Sequence, residues 1–157
     1  MIKKTVLAFV LSAAVPLLAA EPAGVVVWPS AELKAYAKKL VPKVNERKSA
    51  FERLATFGND YTMIAHREGD GEAELHEKEA DFFVVQSGAA TLIVGGEMVN
   101  GKTTAPNEVR GPSIKGGEKK ALAAGDVVHI PPKVPHQLLV PAGTEFTYFV
   151  IKVVETP

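Results

Sequence analysis

The chain of 157 residues has no cysteine. That excludes disulfides, thiolate metal ligands, a cysteine nucleophile and a lipidated cysteine behind a leader. A surplus of either charge is missing too, with 18 basic against 18 acidic residues. Nothing therefore points to nucleic acid or an anionic membrane surface as partner. No internal repeat is visible. The one long apolar run, Val6 to Leu18, is interrupted by Pro16, and at about 13 residues it falls short of the roughly 20 needed to span a bilayer.

That run has another reading. Lys3 and Lys4 precede it and the small residues Ala19 and Ala20 follow, which is the layout of a secretory signal peptide over residues 1–20. Cleavage would leave a chain starting near Glu21, located in the periplasm or outside the cell and not embedded in the membrane. Removing Lys3 and Lys4 leaves 16 basic against 18 acidic residues. With 46% hydrophobic content the remainder is one domain's worth of chain with an ample core.

Taken in order, Gly24 to Trp28 reads as a short strand. Ser30 reads as the N-cap of a helix to about Leu40, with Leu33, Tyr36, Ala37 and Leu40 on one apolar face. Lys43 to Arg53 is ambiguous, with helix preferred over a loop leading into a strand. From Tyr61 the pattern is β. Tyr61 to Arg67 alternates, placing Thr62, Ile64 and His66 on one face. In the strand after the turn Glu68 to Gly71, the residues Glu72, Glu74 and His76 share a face. Asp81 opens the apolar run Phe82 to Val85, Gly88 ends it, and Ala90 to Val94 is closed by a hairpin turn at Gly95-Gly96. Glu97 to Lys120 is polar and rich in turn formers, a long rim loop or one holding a short hairpin. Strands at Gly125 to Ile130, His136 to Val140 and Phe146 to Val154 complete the pattern. In the last of these, Phe146, Tyr148, Val150 and Lys152 form one face and Thr147, Phe149, Ile151 and Val153 the other.

Two of these stretches carry a resemblance. Glu74 to Gly88 is similar to the first motif of the cupin superfamily, roughly G-x5-H-x-H-x3 or x4-E-x6-G. His76 matches its second histidine, Asp81 its glutamate and Gly88 its closing glycine, while Glu74 stands where the first histidine belongs. Gly125 to Val140 resembles the second motif, G-x5-P-x-G-x2-H-x3-N, through Gly125, Pro131 and His136. Lys133 replaces its glycine and Val140 its asparagine.

The resemblance covers about residues 60 to 153. It implies an all-β fold, a single cupin barrel (double-stranded β-helix or jelly roll), with residues 21–58 as an N-terminal strand and helix extension and 59–157 as the barrel. It also implies a divalent metal held by His76, His136, Asp81 and Glu74. Two imidazoles with one or two carboxylates suit iron, manganese, nickel or zinc, with positions left open for water or substrate. Asp81, one methylene shorter than glutamate, could instead accept a hydrogen bond from His76, and Glu74 could serve as a general base. His66 and His129 are weaker candidates. The functions that fit are a metal-dependent oxygenase, isomerase or lyase acting on a small molecule, a non-catalytic cupin binding a ligand or metal, and a metal-free sugar epimerase-like barrel using His66 and Tyr148. A homodimer is compatible with this reading.

Overall fold

A computed structural model describes residues 23–155 of the chain. The leader expected at residues 1–20 lies outside the described residues. Among those residues, no helix is long and apolar enough to cross a membrane.

Helix α1 (Ser30–Leu40) is followed by a 3-10 turn (Val41–Lys43). Ser30 is the first helical residue and not the cap. Pro29 holds the N-cap position, and its carbonyl accepts from the Glu32 and Leu33 amides. The fixed φ of proline suits that place, whereas a serine side chain makes no capping bond here. Gly24 to Trp28 forms no strand. Lys43 to Arg53 is not helical beyond the 3-10 turn, because Ser49–Phe57 forms β1, paired antiparallel along its length with β2 (Asp60–Arg67). The sheet therefore begins inside the segment read as an extension.

The remaining strands are β3 (Ala73–His76), β4 (Glu79–Val94), β5 (Glu97–Val99), β6 (Lys102–Ala105), β7 (Glu108–Gly111), β8 (Ser113–Lys115), β9 (Glu118–Ala123), β10 (Val127–Ile130), β11 (His136–Leu139) and β12 (Phe146–Val154). The expected rim loop is thus four short strands and the start of a fifth. Asn100 and Asn107 supply two of its turns at positive φ, which asparagine tolerates better than most residues. The Gly95-Gly96 turn does not close a hairpin, since β5 pairs with β8 while the end of β4 pairs with β9 and β11.

β4 runs through both halves of the molecule. Its first half lies between β12 and β10, in the sheet that also contains β2 and β1, and its second half lies between β11 and β9, in the sheet that continues to β3, β7 and β6. Against β12 the register slips near Gln86, so that Tyr148 faces Val85 but Thr147 faces Ser87. The extra residue flips the parity of inward-facing side chains. Phe83 and Val85 point into the barrel before it, and Ala90 and Leu92 after it, joined there by Leu138, Phe146, Tyr148 and Val150. Ile93 points to the outside, in a cluster with Ala73 and Ile114. The apolar face of α1 (Leu33, Tyr36, Leu40) packs against Ile64 and Phe149 on the outer surface of β2 and β12. Leu40 is fully buried there, worth about 2 kcal/mol of transfer free energy.

Candidate metal centre

Strand pairing assembles the site. His136 on β11 lies opposite Glu74 on β3, and β3 in turn sets Glu74 against Arg110 and His76 against Glu108 on β7. Asp81 on β4 lies opposite Lys152 on β12. All four residues expected from sequence, Glu74, His76, Asp81 and His136, converge inside the barrel, the two histidines and Asp81 buried.

One atom connects three of them. Asp81 Oδ2 lies 3.3 Å from His76 Nε2 and 3.5 Å from His136 Nε2, and Glu74 Oε2 lies 3.6 Å from His76 Nε2. Asp81 therefore reaches the centre despite its short side chain. Glu74, His76 and His136 offer ligand atoms all within 4.8 Å of one another. Metal–ligand bonds of about 2.1 Å at tetrahedral angles hold neighbouring donors roughly 3.4 Å apart, so these separations suit one ion.

The outer contacts of the imidazoles suit it too. His136 Nδ1 donates to the Val134 carbonyl at 3.1 Å, which leaves Nε2 as the lone-pair nitrogen, and that buried atom has no hydrogen-bond partner. His76 Nδ1 is held by Glu108, which turns its Nε2 inward. A carboxylate or carbonyl behind each histidine is the arrangement that fixes ring orientation at metal centres.

Cations surround the carboxylates. Arg110 reaches Glu74 Oε1 at 3.0 Å and Glu108 Oε1 at 2.7 Å, while Arg67 lies 3.4 Å from Glu74 and donates from Nε to the Tyr148 hydroxyl at 3.1 Å. Burial raises the pKa of Glu74, but the Arg110 guanidinium, with Arg67, outweighs it and holds the carboxyl below its usual range. Burial likewise raises the pKa of Asp81, but the facing imidazoles of His136 and His76 and the nearby Lys152 outweigh it and hold the carboxyl well below its usual range. At His76 burial disfavours the charge, yet the Asp81 and Glu108 carboxylates prevail and push its pKa up to about 9. Lys152 Nζ lies 2.6 Å from His76 Nε2.

Glu108, Arg110 and Lys152 were not among the residues expected from sequence. Glu108 and Arg110 alternate within a segment that reads as loop, so only its hidden strand gives them a common face. For Lys152 a signal existed, since it is the single charge on the otherwise apolar face of Phe146, Tyr148 and Val150.

The weaker histidines lie elsewhere. His129 is exposed and stacks on Phe82 at 4.4 Å. His66 is fully buried on the helix-facing side, bonded through Nδ1 to Thr147 Oγ1 at 2.8 Å. Tyr148 faces the barrel interior, so the pair needed for an epimerase-like mechanism sits on opposite faces of the sheet and does not meet. His66 forms a second acidic group with Glu68 and Glu145 at the barrel exterior. Beside the inner site opens a cavity of about 870 Å3, lined among others by Met63, Phe83, Tyr148 and Arg67.

No protein-family model matches the chain, and no curated protein matches it in sequence. Solved structures do match in fold. A protein with a double-stranded β-helix domain from Klebsiella pneumoniae subsp. pneumoniae aligns over 70% of this chain and 80% of its own, at 16% identity and a TM-score of 0.51. A cupin-2 domain protein from Rhodospirillum rubrum aligns over 71% of this chain and 63% of its own, at 17% identity and a TM-score of 0.51. KdgF from Halomonas sp. aligns over 71% of this chain and 84% of its own, at 15% identity and a TM-score of 0.52. At these identities the likeness speaks to fold alone, and it agrees with the strand order and with the two motifs that converge in the barrel. The chain has the cupin fold.

Proposed function

We propose that this protein is a metal-binding cupin that holds one divalent ion between His76, His136, Asp81 and Glu74 and acts on a small molecule in the adjoining cavity. The observation that carries the reading is the buried, unpartnered Nε2 of His136, aimed at the same Asp81 oxygen as His76 Nε2. An orphaned buried lone pair is costly unless something binds it. A divalent ion there would supply a Lewis-acid centre. The chain's own contribution is to orient: Glu108 and the Val134 carbonyl fix the imidazoles, and Arg110 and Arg67 keep Glu74 ionised. The Tyr148 hydroxyl, already accepting from Arg67, has its own proton to offer a ligand in the cavity.

Export to the periplasm or beyond belongs to the same proposal and rests on the charged start, apolar run and paired alanines of residues 1–20. Intact mass of the exported protein should correspond to a chain starting near Glu21, and a mass retaining residues 1–20 would refute export.

Elemental analysis tests the centre. Wild-type protein should hold about one divalent ion per chain, and His76→Ala and His136→Ala should each lose most of it while keeping the β-rich circular dichroism spectrum. Stoichiometric metal in both variants would show that the site is wrongly assigned.

A further inference from the structure

β12 presents Phe146, Tyr148 and Val150 to the barrel core and then, two residues further on, Lys152. A lysine there is unusual, for its long stem ends inside the site with only 8% of the residue exposed. Its Nζ lies 2.7 Å from Asp81 Oδ1 and 2.6 Å from His76 Nε2. The His76 nitrogen that a metal would need is therefore engaged, and so is one oxygen of Asp81. The other Asp81 oxygen still faces both histidines. In this arrangement the cluster already contains a cation, made by the chain itself.

We propose that Lys152 is a built-in competitor for the metal, so that its inward position and an ion on His76 Nε2 exclude one another. The inference rests on the metal reading above. A place to retreat to exists along the same side chain's reach. Glu79 Oε2 is 3.9 Å from Nζ, is more exposed than Asp81, and is also bonded by the Tyr61 hydroxyl at 3.1 Å. Swinging from Asp81 and His76 toward Glu79 would exchange one carboxylate partner for another while freeing both ligands. Such a device would let the barrel stay folded without metal, because Asp81 is never left buried and unpaired.

The test is metal binding by calorimetry with zinc or manganese alone, comparing wild type with Lys152→Met, which keeps the apolar stem, and Lys152→Gln, which keeps a donor for Asp81. Removing a positive charge a few ångströms from the ion should tighten binding on the order of tenfold to a hundredfold. Thermal melting gives the complementary readout. Metal-free Lys152→Met should melt below wild type, and zinc should raise its melting temperature by more than it raises that of wild type. Equal affinities in all three proteins, or weaker binding in the variants, overturn the competition while leaving the metal centre standing. No binding in any of them refutes the metal reading itself, and the competition with it. Wild-type protein provides a check that needs no variant. Reductive methylation of Lys152, followed by peptide mass, should quicken when zinc saturates the protein, and unchanged protection at saturation contradicts the proposal.

Discussion

Asp81 shows how much a single position can hold. Its carboxylate is almost fully buried, is ion-paired with Lys152, and faces two imidazoles. Removing one partner of a buried pair leaves the other uncompensated, so Asp81→Asn should cost about 3 kcal/mol of stability in the metal-free protein at neutral pH. The pH dependence has a definite sign. Asp81 and Glu74 both have folded-state pKa values lowered below their unfolded ones, so the stability they contribute is complete above about pH 4 and is lost as the pH falls toward the folded values. Urea unfolding of metal-free protein at a series of acid pH values should show that loss, with a shallower slope in Asp81→Asn. Identical slopes would mean that Asp81 is not ionised by its neighbours as described. Glu108 acts one step further out, through His76 Nδ1, and Glu108→Ala should weaken metal binding about tenfold to a hundredfold without removing a ligand. Motif spacing made His76, His136, Asp81 and Glu74 legible from the chain alone. Glu108 was not, because a side chain's face has no meaning until its segment is known to be a strand.

At the scale of elements, β4 decides the most. Gly88 looks in sequence like the end of a strand, yet the strand continues through it at φ 79°. A Cβ there would lie 1.8 Å from the Glu145 carbonyl oxygen, which belongs to backbone and cannot turn aside. Gly88→Ala should therefore destabilise the protein by more than about 2 kcal/mol, readable in urea or thermal unfolding, through both the clash and the left-handed conformation. A near-neutral effect would show that β4 and the Glu145 segment are further apart than described. The helix and the strands β2, β3, β10, β11 and β12 were readable from periodicity. β1 and β5 to β9 were not: the sequence leading into β1 suits a helix as well as a strand, and β5 to β9 are short, largely polar segments that are strands only by virtue of their neighbours. The slip near Gln86 is the same kind of fact, since only the pairing with β12 reveals it and only the slip sends Ile93 outside.

In the whole molecule, two sheets share β4 and enclose a core whose apolar floor gives way, along β12, to a cluster of histidines, carboxylates and one lysine. The helix covers the outer face of β2 and β12, the strands that carry Arg67 and Lys152, while β7, paired with β6, brings Glu108 and Arg110 to the site from the other sheet. Fold and site are thus one argument: closing the barrel is what brings His76 and His136, 60 residues apart in the chain, to a ring separation of 5.3 Å. The same closure leaves His66, Glu68 and Glu145 as a separate group on the outside, so among the described residues a metal ion has two places to choose between. Anomalous scattering from a crystal of the full chain grown with zinc tests the central claim most directly. The account predicts one strong peak inside the barrel, bonded to Nε2 of His76 and Nε2 of His136 with carboxylate oxygen from Asp81 or Glu74, and Lys152 Nζ displaced from it. A peak only at His66, Glu68 and Glu145, or no peak in the barrel at saturating zinc, would contradict it.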